Sequence, residues 1–523
     1  MPPAPASPSW DLAVVGGGTA GIVGARTAAG LGARVVLIER DRIGGDCLWT
    51  GCVPSKALLA VAARVALGTR SGRLGVTCDG VKVDFPAVMA HVRRAIATIE
   101  PHDSPASLAA RGVEVLVGNG RLAPDGDVLV DGRRVGARQV LLATGSSPAV
   151  PAVPGLREAE PLTTDTVWDL EHLPGRLTVL GGGSIGCELG QAFARLGSRV
   201  TVVEKASRLL PEEDPDASGV VVAALRCDGV EVYTSTTVTA VTGTPTAGAV
   251  WTESGREIEH DALLVTTGRR PGTADLALEN AGVQLDRHGF VLVDRRLRTT
   301  HPRVWAAGDL TGHPQFTHVA GVHASIAASN AVLGLRRRVD TAVVPRVTYT
   351  DPEVAAVGVP TPARDDLLRT FTQWHADVDR AVTEGQTTGF TRLVTDVRGR
   401  LVGASIVGPR AGESLAELAL AVKQGLRTRD LAGTIHAYPT YADGAWNAAL
   451  DDVRRRLEGR VTAAVCAAAV RGRSRWVDAR RRLVRSSPRE PVAGVQPGRR
   501  VMRPAGRRAT GPAGGRTGPW QRG

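Results

Sequence analysis

The chain has 523 residues, 43% hydrophobic and 22% charged, a composition that excludes wholesale disorder and leaves room for roughly three to four domains. Its six cysteines are too few for a disulfide-stapled secreted scaffold. The net charge of +12 is uneven, because residues 454–523 hold 19 arginines and three acids for a net of +16, leaving −4 on residues 1–453; the basicity that would suggest nucleic acid or an anionic membrane as partner therefore belongs to the tail.

The opening MPPAPASPSW has no basic n-region, and no run of 18 apolar residues follows it, so a cytoplasmic chain with no transmembrane segment is expected. Residues 11–15 (DLAVV) read as a short buried strand that runs into Gly16-Gly-Gly-Thr-Ala-Gly21. A helical stretch over 22–30 and an apolar strand over 33–39, ending on Glu39, complete a βαβ unit. In such a unit Gly16 makes the tight turn, Gly18 lets backbone approach a pyrophosphate, and Gly21 allows close helix–strand packing. The helix N-terminus offers free N–H groups to phosphate, and Glu39 can accept hydrogen bonds from an adenosine ribose.

Cys47 and Cys52 follow, separated by four residues and bounded by Gly51 and Pro54 at a helix start. A helix N-terminus stabilises a thiolate, which suits a redox pair; two unrelated buried cysteines are the plainer alternative. No second Cys/His pair lies nearby in sequence, so no metal site is expected.

The βαβ pattern returns at residues 177–180, followed by Gly181-Gly-Gly-Ser-Ile-Gly186, a helix to Leu196 and a strand over 199–204 ending on Glu204. Gly181, Gly183 and Gly186 repeat the roles of Gly16, Gly18 and Gly21, and each acid follows the first glycine of its loop by 23 residues. One such loop alone is also consistent with a simple turn. Two in matched βαβ context imply two adenine dinucleotides, hence a flavoprotein that exchanges electrons with a nicotinamide cofactor. Glu204 favours NAD, because a carboxylate binds the ribose 2′-hydroxyl and repels a 2′-phosphate; Lys205 and Arg208 close behind leave room for NADP.

With these flanking loops, GGDCLWTGCVPSK over 44–56 closely resembles the redox motif of class I pyridine nucleotide–disulfide oxidoreductases, the family of dihydrolipoamide dehydrogenase, glutathione reductase and mercuric reductase. Further resemblances follow in order: LLATGS (141–146), VTTGRRP (265–271), THPRVWAAGD (300–309) and PRVTYTDPE (345–353). The resemblance covers about residues 10–453. It implies an α/β fold with two Rossmann-like domains, for FAD and for NAD, plus an α/β dimerisation domain and a homodimer. It also implies that Cys52 lies beside the flavin in charge-transfer contact, that Cys47 is the interchange thiol, and that Lys56 and Glu188 form an ion pair near the flavin. Thr144, Gly145 and Gly268 fall in the turns that close the two nucleotide domains, and Asp309 matches the aspartate that binds the ribityl chain. His318 reads as flavin packing. Cys187, Cys78, Cys227 and Cys466 read as small buried side chains.

The chain departs from the family at its C-terminal histidine segment. Where disulfide reductases carry His-Pro-Thr-x-x-Glu, this sequence has Tyr438-Pro-Thr-Tyr-Ala-Asp443. Histidine titrates near ~6.5 and shuttles protons at neutral pH, whereas tyrosine, near ~10, is chiefly a hydrogen-bond donor. The replacement resembles mercuric reductases, although the vicinal C-terminal cysteines of those enzymes are missing. His436, two residues off register, is the alternative base, and interface packing is an alternative for Tyr441.

The motifs divide the chain into a FAD-binding domain over 8–155 and 278–340, an NAD(P)-binding domain over 156–277, a dimerisation domain over 341–453 and an Arg-rich tail over 454–523. In the tail, Val461, Val465, Ala469 and Trp476 give a helical spacing, and disorder is expected from Ser486 onward. Contact of the tail with nucleic acid or anionic lipid is a further expectation. The function expected is electron transfer from NADH through FAD to the Cys47–Cys52 disulfide and on to a disulfide, a metal ion or another small acceptor. The competing reading is an NADH oxidase, quinone reductase or redox sensor with little disulfide turnover.

Overall fold

The structure, a computed structural model, describes residues 9–76, 80–361 and 367–486. They belong to two units, residues 1–456 and 457–523.

In the first unit, a parallel sheet runs in the order Val304–Ala306, Ala137–Leu142, Trp10–Val15, Val35–Glu39, Val113–Val117. All four pairings are parallel, and such strands are covered on both faces. That explains why their residues are apolar without alternation: Leu12, Ala13, Val14, Val35 and Val36 have no exposure. The chain adds strands on one side of Trp10–Val15, then returns to the other side. A crevice therefore opens at the carboxyl ends of Trp10–Val15 and Ala137–Leu142, where ligands of open α/β sheets bind.

A second parallel sheet repeats the plan in the order Glu231–Tyr233, Arg199–Val203, Arg176–Leu180, Ala262–Val265. Its strand order reverses between Arg176–Leu180 and Ala262–Val265. A short antiparallel ribbon of Ser146–Pro148 with Arg269–Pro271 joins the motif turns that follow the two sheets. Residues 346–408 form an antiparallel five-stranded sheet, Arg346–Thr348, Glu353–Gly358, Leu401–Gly408, Phe390–Asp396, Leu368–Trp374, with the helices Ala411–Gln424 and Asp443–Glu458 on its core.

Helix Cys52–Arg70 packs with Phe85–Asp103 and with Ser184–Leu196 of the second nucleotide unit, in one apolar cluster that includes Leu48, Leu58, Met89 and Phe193. This cluster brings the cysteine segment to the first turn of the second glycine helix. The stretch Gly45–Arg70, at mean hydropathy 1.3, has the length and composition of a membrane-spanning helix without being an unbroken apolar run. Pro54, Ser55, Leu58, Ala62 and Ala66 of this stretch are buried within the fold.

The helix Asp443–Glu458 runs through the expected tail boundary at 454. Asp452 is buried and accepts hydrogen bonds from Thr428 and from Arg456 one turn later, which holds the helix end against its neighbours. A separate helix, Arg460–Ser486, follows Gly459. The segment from 487 onward, expected to be disordered, lies outside the described residues.

Candidate active site

Both glycine loops are closed to any larger residue. A Cβ on Gly21 would sit 1.8 Å from the Gly16 carbonyl oxygen, and one on Gly186 would sit 2.0 Å from that of Gly181. Gly16 and Gly181 have φ of 104° and 109°, which L side chains rarely adopt. Gly18 and Gly183 cap their helices without any side-chain hydrogen bond, so the first-turn N–H groups remain for an outside acceptor. Glu39 accepts from Gly17 N at 2.6 Å and from Asp41 N at 2.9 Å, and Glu204 repeats this with Gly182 N and Ala206 N, both at 2.6 Å. Each acid thus braces its own loop while its carboxylate keeps spare lone pairs for a ribose. The first cradle suits FAD and the second a nicotinamide dinucleotide.

Around the first cradle, Thr144 Oγ1 donates to the Gly272 carbonyl at 2.6 Å, and Gly145 and Gly268 take positive φ. Asp309 accepts from Ser146 Oγ at 2.6 Å, Ser146 Oγ accepts from Arg269 Nε at 2.7 Å, and the same guanidinium bonds Asp46, next to Cys47. A chain of polar contacts therefore links the Asp309 turn to the cysteine loop. Burial raises the Asp46 carboxyl above its ordinary value, against the opposing charge of Arg269.

Cys47 lies in the one-turn helix Gly45–Trp49 and Cys52 opens the helix Cys52–Arg70. Both are free thiols, hydrogen-bonded to each other. The bond from Cys47 is the largest influence on Cys52. Together with the Thr317 hydroxyl, 3.3 Å from the Cys52 sulfur, and the Lys56 charge, it brings the Cys52 thiol down to about 6 against the cost of burial. Cys47 moves the other way, raised by its bond to Cys52 and by burial. In the dithiol form the negative charge thus sits on Cys52 and the proton on Cys47.

Lys56 Nζ lies 2.8 Å from Glu188 Oε2 and 4.3 Å from the Tyr349 ring centroid. Glu188 is buried, and its other oxygen accepts from Tyr349 N at 2.9 Å. The ammonium is consequently fixed between a carboxylate and an aromatic face. Cys187, beside Glu188, is fully buried and its thiol is raised by desolvation. Cys227 and Cys466 are exposed, contrary to expectation, each on a helix face that reaches no core. Cys78 lies outside the described residues. His318 is exposed, stacked on Phe316 and 2.9 Å from the Pro345 carbonyl.

The carboxyl-terminal segment differs from its expected geometry. Tyr438 and Asp443 stand where the family carries a histidine–glutamate pair, but no hydrogen bond joins them. Tyr438, 72% exposed, donates to Asp379, while Asp443 is buried at the start of Asp443–Glu458 and accepts from Thr440 N at 3.2 Å. The acid is drawn inward because a helix start favours a carboxylate there. The bond to Asp379 raises the Tyr438 phenol above its ordinary value. Tyr441 is buried and donates to Glu384 at 2.9 Å. His436 contacts Glu417 at 3.0 Å and makes no hydrogen bond to Tyr438 or Asp443. Among the described residues no group of three or more His, Cys, Asp or Glu is placed to hold a metal ion.

Seven participants were not singled out from sequence. Asp46, Ser146, Arg269 and Tyr349 lie inside recognised motifs, and Thr317 adjoins His318. Asp379 has no local signal. The Thr19 hydroxyl, within the first glycine loop, also bonds Cys47.

The family described as pyridine nucleotide-disulphide oxidoreductase matches residues 10–324, and its dimerisation domain matches residues 344–449. A mercuric reductase of Streptomyces lividans is 36% identical over 449 residues, covering 83% of this chain and 94% of that protein. A dihydrolipoyl dehydrogenase of Chlamydia muridarum is 33% identical over 445 residues, covering 83% and 95%. Among solved structures, LpdA of Mycobacterium tuberculosis superposes with a TM-score of 0.77 at 31% identity, covering 86% of this chain and all of that one. The Cu(II) complex of the HOCl-induced flavoprotein disulfide reductase RclA of Escherichia coli gives 0.76 at 27%, covering 85% and 99%.

Proposed function

From the premise that the chain belongs to the pyridine nucleotide–disulphide oxidoreductase family, and is an FAD-dependent NAD(P)H oxidoreductase with a dimerisation domain, we propose that its acceptor is a soft, thiophilic metal ion of the Hg(II) type. The observation that carries this reading is the Tyr438–Asp379 hydrogen bond. Reduction of a disulfide, NAD(P)H + H⁺ + RSSR → NAD(P)⁺ + 2 RSH, needs protons delivered to the leaving sulfurs. A tyrosine held above its ordinary value by a carboxylate is a poor shuttle at neutral pH. Reduction of a metal ion, NAD(P)H + M²⁺ → NAD(P)⁺ + H⁺ + M⁰, releases a proton and asks for none.

Gly16, Gly18, Gly21, Glu39, Thr144, Gly145 and Asp309 hold FAD in this reading, with Lys56 beside its reactive ring; Gly181, Gly183, Gly186, Glu204 and Gly268 hold the nicotinamide cofactor. FAD, when bound, relays an electron pair between the nicotinamide and the thiols. Cys52, already a thiolate near neutral pH, supplies the first sulfur to the metal ion, and Cys47 joins it on losing its proton. Lys56, fixed by Glu188, keeps positive charge beside Cys52. Tyr438, whose O–H is donated to Asp379, presents its phenol oxygen at the acceptor rather than acting as a base, and Asp443 is a structural residue of its helix. NADH is the preferred reductant because the Glu204 carboxylate repels a 2′-phosphate. The assembly is a cytoplasmic homodimer, with FAD-binding residues 8–155 and 278–340, NAD-binding residues 156–277 and interface residues 341–453.

Anaerobic NADH consumption with Hg(II), lipoamide, glutathione disulfide, mycothiol disulfide and quinones tests the proposal. Hg(II) is expected to exceed every disulfide in kcat/KM by at least about 100-fold, the scale of a missing acid–base group. A disulfide turned over as efficiently as Hg(II) overturns it.

A further inference from the structure

The helix Arg460–Ser486 carries none of the residues assigned to electron transfer, yet it is patterned. At about 100° per residue, Val461, Val465, Ala469, Trp476 and Ala479 fall on one stripe. Val461 and Val465 are 79% and 63% exposed, and Trp476 is 48% exposed. Arg473 and Arg480 border the stripe on one side, Arg475 and Arg482 on the other. The guanidinium of Arg473 lies 4.1 Å from the Trp476 ring centroid, and that of Arg480 lies 5.2 Å from it. Eight arginines against the single acid Asp478 give the helix a net charge of +7.

We propose that this helix docks on an anionic lipid surface, lying in the plane of the interface with the Val461–Ala479 stripe turned toward the acyl chains. Three features select this occupant. The charge complements anionic headgroups, each arginine near such a surface adding to the attraction. The arginines flank the apolar stripe, so their stems follow it down while their heads stay at headgroup level, and tryptophan favours that same boundary. A helix this charged lies on a bilayer and does not cross it. A nucleic acid would engage the arginines but gives no reason for a continuous exposed apolar stripe. Pairing with the same helix of a second copy would bring the flanking arginines of both copies together, a like-charge arrangement that opposes it.

The test uses the full FAD-loaded chain with two kinds of vesicle, phosphatidylcholine alone and phosphatidylcholine with about 30 mol% phosphatidylglycerol. The expected result is retention on the anionic vesicles at least about tenfold above the neutral ones, with a blue shift in tryptophan emission. A chain ending at Ser486 should retain this binding, and W476E should lower it about tenfold with NADH-dependent turnover unchanged. Equal retention of W476E and the parent chain, loss of binding in the chain ending at Ser486, or concentration-dependent self-association abolished by W476E without any vesicle binding would each overturn the proposal. Displacement from anionic vesicles by an equimolar duplex DNA would do so too, in favour of nucleic acid.

Discussion

Replacing Cys47 by serine and by alanine should separate two roles that a single substitution confounds. In the parent, the Cys47 hydrogen bond is the largest of the influences that bring Cys52 to about 6. A thiolate exists above that value and is lost as the pH falls through it, so Cys52 is charged near neutral pH. Serine retains an O–H donor at this position and alanine does not. A hydrogen bond to a charged group is worth about 1.5–3 kcal/mol, or about one to two pKa units at 1.36 kcal/mol per unit. Because Thr317 and Lys56 remain as partners of Cys52 in both variants, the lower end applies. The Cys47→Ala midpoint is therefore expected about one unit above that of Cys47→Ser, with less thiolate at neutral pH. The assay is the pH dependence of the long-wavelength thiolate-to-flavin absorbance in the oxidised, FAD-loaded variants, with iodoacetamide alkylation rates as an independent probe. Both variants should lose acceptor turnover and keep NADH-dependent bleaching of the flavin. A Cys47→Ala midpoint at or below that of Cys47→Ser would refute the claim that Cys47 stabilises the Cys52 thiolate.

Two further substitutions examine other parts of the site. Gly186→Ala would place a Cβ 2.0 Å from the Gly181 carbonyl oxygen, forcing backbone apart at a cost of about 1–3 kcal/mol; the variant should purify with FAD bound but show an NADH KM raised about tenfold or more in steady-state kinetics. Tyr438→His should introduce lipoamide turnover whose rate falls as pH rises through about 6.5, where the imidazole loses the proton it delivers to the leaving sulfur; a pH profile without that limb would count against the proton argument.

Much of the nucleotide-binding scaffold was legible because its determinants are local. A buried parallel strand, a glycine loop and a helix start occupy adjacent residues, so Gly16 to Glu39 and Gly181 to Glu204 could be read in one pass. Even there, the loop-bracing bonds from Gly17 N to Glu39 and from Gly182 N to Glu204 have no local sequence signal. A carboxylate at the end of the second strand lies beside the loop after the first only because the two strands are paired in register. Contacts set by topology were less accessible still. Thr317 meets Cys52 across 265 residues of sequence, through the packing of Thr317–Leu333 beside the first sheet.

The Tyr438–Asp443 expectation shows how a spacing can carry one chemistry and hide another. Four residues separate the pair, as in the histidine–glutamate pattern, but a carboxylate at that point also begins a helix. Asp443 satisfies the local demand by accepting from Thr440 N. Tyr438 then takes its acceptor from Asp379, 59 residues upstream on the short helix Asp379–Thr383. Tyr441 does the same with Glu384 just beyond that helix. Two tyrosines of one segment are thus tied to two acids of another, so the donors of the replaced histidine site are held by a surface with no motif of its own. On the proposed reading, substituting Tyr438 changes the proton chemistry at the acceptor, whereas substituting Asp443 changes a helix terminus.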